Sequence, residues 1–480
     1  MVTFLLSIGV LITGYFIYGK FIGRFFGASN TIETPVLRLA DGVDYIPMKP
    51  WRMFMIQFLN IAGLGPIFGA ILGAMYGPWA YVWIVLGNIF MGAVHDYFSG
   101  MISVRNDGAS LPELVGKYLG NGARQILRIF TLLLLIMVGV AFVNGPAKLL
   151  DNYTGIPFDF WLYLIFIYYL LATLLPINQI IGRIYPFFGA ALLFMAFAVG
   201  GYMLWNGFGG SFDMNEISFS ELKNMHVNPD KNILFPMMFI VISCGAISGF
   251  HSTQSPMMAR CMAKESQGRS IFYGAMVAEG IVAIIWATAA MNYFGSTEKL
   301  NEMVATGHDP AWIVKEICQT WFGKVGAALT IIGVIAAPIT TGDTAFRSAR
   351  LTIADMFRIK QGSMANRLWI SVPMFVLAYV LTQIEFSTIW KFLGLFNQFL
   401  SVIVLWMGAV YLLQIKKFHW LLSVPATFMT AVTVTYLLVA PTSDGGLSLS
   451  TTMGYSIGAI SALGALLFFL SKSEKTSSPT

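Results

Sequence analysis

Charge is the first thing this sequence is short of. Of its 480 residues only 11% are Asp, Glu, Lys or Arg while 57% are hydrophobic, more apolar surface than a water-soluble domain can cover. The formal balance of +6 supplies no basic face, which excludes nucleic acid as a partner. Cysteine is scarce as well: Cys244, Cys261 and Cys318 lie in or beside apolar segments with no paired spacing, so neither a disulfide framework nor a cysteine-rich metal site is implied. The five histidines include no i, i+4 pair and no HExxH, which removes metalloprotease chemistry. No GxxxxGKS/T stretch or nucleotide-binding domain is found, so an enzyme reading has no support, no cofactor is expected, and transport would have to run on an ion gradient.

What the sequence has in abundance is long apolar runs. Scanning for stretches of membrane-spanning length gives about 13 transmembrane helices, an all-α polytopic membrane protein set in a lipid bilayer. The first run, residues 2–19, lacks a basic segment before it and continues into "KFIGRFFGASN", so it reads as a retained helix. With the N-terminus outside and the C-terminus inside, most of the 29 basic residues fall on the inner side, the bias expected of a correct topology. Outer loops at 207–231 and 295–324 are expected to form short surface helices or lids.

Two runs are interrupted. In the run at 53–77, "NIAGLGPIFG" places Gly63, Gly65 and Pro66 together, so the helix is expected to unwind between about Ala62 and Pro66. In the run at 232–255, "ISCGAISGFHSTQSP" sets Gly245, Gly249 and Pro256 around a polar cluster. A backbone opened in hydrocarbon is tolerable only where it lines a protein-walled or watery cavity. Each break begins a unit of five runs, and an odd count inverts the second unit, as in the inverted repeats of secondary transporters. The expected organisation is therefore an N-terminal helix and interfacial segment at 1–52, repeat one at 53–206, repeat two at 232–413, two further helices at 414–471 and a disordered tail at 472–480. Close helix packing is the plainer use for such glycines, but matched positions in two units favour a binding site.

Candidate substrate contacts are Asn60, Gly63, Gly65 and Pro66 at the first break and Ser243, Gly245, Ser248, Gly249, His251 and Ser252 at the second. Helix N-terminal amides there would hold a carboxylate. Ionisable residues inside the runs are few: His95, Asp96, Glu279 and Asp343 are candidates for a proton carrier or cation ligand. Either aspartate also fits a structural role, anchoring a helix end or pairing with an arginine such as Arg347. Ala62 with Thr340 and Thr341 offers oxygen ligands for Na+.

The stretches "DGVDYIP", "IAGLGPIFG", "GAVHD", "RNDGASLPEL", "ISCGAISGFHS" and "TTGDTAFRSAR", in that order over about residues 40–350, resemble the carbon starvation protein A (CstA) family. The resemblance implies a multi-pass protein of a bacterial or archaeal cytoplasmic membrane, associated with peptide uptake during carbon starvation or, in some members, with pyruvate uptake by proton symport. It also implies the five-plus-five repeat of the amino acid, polyamine and organocation transporters. The chain departs from the family's "GAGPIxGP" at Leu64 and Ala70. The reading is thus a symporter for short peptides, or alternatively pyruvate, coupled to H+ or Na+. A passive channel would show charged or carbonyl rings, and a nutrient sensor would carry a signalling domain.

Overall fold

Long apolar segments in hydrocarbon must satisfy their own backbone groups, and helices do so. The computed structural model describes residues 1–42, 44–174, 181, 183–210, 216, 222–384 and 386–477, and among them it contains helices and no strand. Helices α1 (Val2–Phe16) and α2 (Tyr18–Phe26) run on from one another, and a short α3 (Pro35–Arg38) follows in the polar connection. The first interrupted run is α4 (Pro50–Ile61), a π-helical turn at Gly65–Gly69 and α5 (Ala70–Ala74), bent by 53°. Next come α6 (Trp79–Gly87) and α7 (Ala93–Val104), joined without a gap by a π-turn at Asn88–Gly92. The short α8 (Leu111–Leu119) leads to the 34-residue α9 (Asn121–Thr154), then α10 (Phe158–Leu174) and α11 (Tyr185–Phe208).

The second interrupted run holds α12 (Phe239–Val241) and α13 (Gly249–Ala259). It is followed by α14 (Gly274–Tyr293), α15 (Thr297–Ala305), α16 (Pro310–Thr330), α17 (Ala337–Phe357), α18 (Met364–Leu381) and α19 (Phe386–Gln414). Helices α20 (Trp420–Val439) and α21 (Thr451–Ser477) close the chain. Among the described residues eight helices are long and apolar enough to cross a membrane, nine counting the bent pair. Large apolar side chains such as Phe187, Trp205 and Trp369 face outward, 73% to 81% exposed, as lipid contact requires. The chain is a multi-pass membrane protein.

Helix α14 runs through the middle, packed against α1, α4, α5 and α11, while α9 packs along α17 and α19. Arg105 donates to Glu265, to the Gly27 carbonyl and to the Tyr411 hydroxyl at 2.8–3.1 Å, tying α2, α7 and α19 together. The N-terminus, at the start of α1, binds Glu216.

The outer loop at 295–324 forms helices as expected, α15 and the start of α16; its other outer partner, 207–231, lies partly outside the described residues. Other expectations are corrected. The apolar run at 325–343 continues as helix to Phe357, with Arg347 and Arg350 buried inside the protein instead of marking a loop. Arg347 donates to the Ala172 carbonyl at 2.9 Å, and Arg350 binds the Gln361 side chain. Arg367 is buried as well, so these three arginines do not mark exposed loops. Helix α21 extends to Ser477 where a disordered tail was expected from 472, since adding residues to an existing helix costs little; residues 478–480 lie outside the described ones.

Candidate functional site

The two breaks meet. At the first, α4 ends at Ile61, Ala62 leaves helical geometry, and the chain resumes at Gly65, with Pro66 in the opening turn where its missing N–H costs nothing. At the second, helix stops at Val241; Ile242 and Ser248 are non-helical, and Gly245 sits at φ +89°, a conformation side chains resist. Helix resumes at Gly249, so Gly249, His251 and Ser252 are helical, and the opening runs from Ile242 to Ser248, before the histidine and most of the hydroxyls of the polar cluster. A Cβ on Gly65 would stand 2.2 Å from the Cys244 sulfur, and one on Gly69 3.0 Å from the Val241 carbonyl. Glycine at these places lets one opened backbone lie on the other.

Freed backbone groups need partners, and at the second break side chains supply them. Trp83 Nε1 donates to the Ile242 carbonyl at 3.1 Å, Asn88 Nδ2 to Gly245 at 2.8 Å and Gln398 Nε2 to Ile247 at 3.2 Å. Asn397 Oδ1 accepts from the Phe250 amide at 2.7 Å and from the Ser248 hydroxyl at 3.0 Å. Sequence reading passed over all four. The available signal was an amide or indole donor inside an otherwise apolar run, as in "FNQFLS". The first break receives one such bond among the described residues: Thr341 Oγ1 donates to the Leu59 carbonyl at 2.9 Å.

On the side of the breaks facing residues 222–232 lies a cavity of about 510 Å³. Gly65, Ser243 and Cys244 form its floor, Phe68, Phe142, Phe250 and Trp390 its aromatic walls, and Asn397 its buried polar point. His226, Asn228, Asp309 and Asp444 stand at its mouth. The His226 ring packs on Tyr76 with centroids 5.0 Å apart, and its Nδ1 accepts the Asn228 amide; burial holds its pKa down at about 4. Of the predicted substrate contacts, Gly65 and Ser243 line this cavity; Asn60, Gly63, Pro66, Gly245, Ser248, Gly249, His251 and Ser252 do not. Asn60 is fully buried in α4, and neither its amide nor that of Gln57 has a hydrogen-bond partner among the described residues.

Directly behind the floor is a buried chain of titratable groups. Asp96 on α7 lies 2.8 Å from His95 Nδ1 through one oxygen and 2.9 Å from His251 Nδ1 on α13 through the other. His251 Nε2 is 3.5 Å from Glu279 on α14, and all four side chains have no exposed surface. Cys244, His251 and Glu279 present polar atoms within 4.8 Å of one another, so Cys244 belongs both to the cavity floor and to this cluster. Charges so buried are costly unless mutually bonded, and neighbouring groups can pass a proton without opening to water. His251, assigned to substrate from the sequence, thus stands with His95, Asp96 and Glu279.

The remaining candidates gather elsewhere. Asp343 is buried mid-helix in α17 and accepts from Tyr185, which also contacts Tyr168. Thr341 reaches the first break, whereas Thr340 donates to Ala337 in its own helix at 2.6 Å. The oxygen set near Ala62 is therefore Thr341 with Leu59.

The family model for carbon starvation protein CstA matches residues 1–156 and 147–326. An uncharacterised membrane protein of Haemophilus influenzae is 41% identical over 353 residues, covering 64% of this chain and 95% of that protein. The peptide transporter CstA of Bacillus subtilis is 25% identical over 537 residues, covering 90% and 88%. The pyruvate/proton symporter BtsT of Escherichia coli is 28% identical over 343 residues, covering 58% of this chain and 48% of that protein. Among solved structures, a manganese transporter of Eremococcus coleocola aligns with TM-score 0.55 at 12% identity, over 91% of this chain and 99% of that one. A nucleobase-cation-symport-1 family transporter aligns with TM-score 0.52 at 14% identity, over 90% and 94%. At such identity these two share the fold alone. The matched motifs, the paired breaks and the family model agree that the chain belongs to the carbon starvation protein CstA family.

Proposed function

We propose that this protein is a secondary active symporter that imports small carboxylate-bearing nutrients, short peptides first, with protons as the coupling ion. The observation that carries the reading is the single shared wall: Cys244 faces the cavity and also the His95, Asp96, His251 and Glu279 chain. A substrate seated on the floor and a proton held behind it can then sense each other through one layer of side chains. The relatives named as peptide transporters support the substrate class. So does the cavity: its volume falls in the range of roughly 300–1,000 Å³ typical of small-molecule sites, and its aromatic walls suit peptide side chains. In this reading 53–206 and 232–413 form the two inverted repeats, each opening with its broken helix. The N-terminus and the cavity mouth face outward from a bacterial or archaeal cytoplasmic membrane. The Gly65 amide, which opens the helix after the first break on the cavity floor, receives the carboxylate.

Pyruvate is the second reading, favoured by the relative named as a pyruvate/proton symporter. Sodium coupling would use Thr341 and the carbonyls of the first break, where hydroxyl and carbonyl oxygens already meet. Uptake of labelled dialanine and labelled pyruvate into proteoliposomes separates these readings. An inward proton gradient is expected to drive dialanine accumulation; flux that ignores both proton and sodium gradients would overturn symport and leave a passive channel.

A further inference from the structure

Beside the central cavity, and sharing Phe68 and Asp309 with it, is a second concavity of about 300 Å³. Lys148, near the mouth end of α9, and Lys315, on α16, both line it, with Trp312. Lys148 and Asp309 are exposed and Lys315 is half-buried. None of the three forms an ion pair among the described residues. Two of them are nonetheless held in place. The Lys315 ammonium stands 4.8 Å from the Tyr153 ring centre, and Asp309 Oδ1 accepts the Trp312 amide at 2.8 Å. Trp312 is fixed in turn by the His308 ring, with centroids 4.1 Å apart.

The central cavity differs in sign. Its charged lining residues are Asp309 and Asp444, and no lysine or arginine lines it. A carboxylate on its way to the floor therefore meets its basic partners in the side concavity and nowhere along the cavity wall. We propose that this vestibule is a capture subsite for zwitterionic peptides, with Lys148 and Lys315 receiving the carboxylate and Asp309 the α-ammonium. The direction of travel rests on the transport reading above; the binding itself does not. A ligand with both charges engages groups of both signs in the vestibule, whereas a simple keto acid such as pyruvate leaves Asp309 unanswered. The subsite thus selects peptides before the aromatic cavity does.

Equilibrium binding of radiolabelled dialanine to the purified full chain tests this, with two competitors that each lack one charge. N-acetyldialanine keeps the carboxylate, and dialanine amide keeps the ammonium. In the double variant Lys148→Gln/Lys315→Gln, dialanine affinity is expected to fall by about tenfold, and N-acetyldialanine competition to fall with it. Lys148→Arg/Lys315→Arg is expected to retain binding, which separates lost charge from a damaged fold. Asp309→Asn, which keeps the bond to Trp312, is expected to weaken dialanine and dialanine amide but not N-acetyldialanine. Wild-type affinity in the Gln variant, or a wild-type chain that binds no dialanine, would overturn the subsite. Gradient-driven uptake with an unchanged KM in the Gln variant would sink the subsite and leave the symporter standing. Lysine-dependent binding without gradient-driven uptake would do the reverse.

Discussion

The two helix breaks are built alike in sequence and held unlike in space. The second is pinned: Trp83, Asn88, Asn397 and Gln398 all bond its backbone, and a chain of buried ionisable groups stands behind it. The first is lined by glycine and receives one hydroxyl, Thr341, among the described residues. A segment with few ties opens locally at lower cost than one with many. In the proposed symport cycle the first break would serve as the hinge, and the second as the fixed wall that keeps the buried chain of ionisable groups in register with the cavity floor.

The largest effects are expected behind the second break. Asp96→Asn removes the group that joins His95 to His251, and should cut gradient-driven uptake by about 100-fold or more, the scale of losing a positioned acid–base group. Counterflow exchange of preloaded peptide should survive. Asp343→Asn keeps an acceptor for Tyr185 and should leave gradient-driven uptake within about tenfold of wild type. An equal loss in both variants would erase the distinction between the two buried carboxylates.

Next in size is Asn397→Ala, which strands the Phe250 amide and the Ser248 hydroxyl. Thermal unfolding in detergent should show a loss of about 2–3 kcal/mol, while Asn397→Asp, which keeps the acceptor, should recover part of it. Gly65→Ala drives a methyl group into Cys244 and should cost about 1–3 kcal/mol. Most of that should return in the Gly65→Ala/Cys244→Gly double variant; no recovery would mean the breaks do not press on each other. Thr341→Val, which removes the tie on the first break, should cost only about 1 kcal/mol. If uptake then loses a dependence on sodium that wild type shows, the coupling ion is reassigned to the first break.

The smallest effect concerns His226 at the mouth. Its pKa is held near 4 against an ordinary 6.5 by burial, so the folded protein keeps it neutral and the unfolded chain takes up the proton first. Its contribution to stability is complete above pH 6.5 and drains away as the pH falls toward 4. His226→Gln should therefore flatten the decline of unfolding temperature across that window. It should leave the pH dependence of uptake near neutrality unchanged.

Much of this was legible because membrane sequences expose their exceptions. Glycine and proline at 63–66, and a histidine and hydroxyls after Gly245, stand out against apolar runs, as do Asp96 and Glu279. The sequence could not show which exceptions meet. His251, placed among the substrate contacts by its neighbours in the chain, is set by α13 against Asp96, 155 residues earlier. Arg347 and Arg350 lie buried within α17, bonded to a carbonyl and to a side-chain amide, and hydropathy cannot tell a buried arginine from an exposed one. Asn397 and Gln398 read as ordinary amides near the middle of an apolar run, and their worth depends on the frayed backbone of a helix far away in sequence. The aromatic walls were hidden by the abundance of aromatics, since Phe68 and Trp390 differ from lipid-facing rings only by position.

Coupling of substrate and proton across the wall shared by Cys244 and His251 is open to one decisive measurement, with a pH-sensitive dye sealed inside proteoliposomes at equal pH on both sides. Addition of dialanine outside is predicted to acidify the lumen with wild-type protein and not with Asp96→Asn, although both bind the peptide. Dialanine uptake by wild-type protein with no change in lumenal pH, or equal acidification by both proteins, would contradict it.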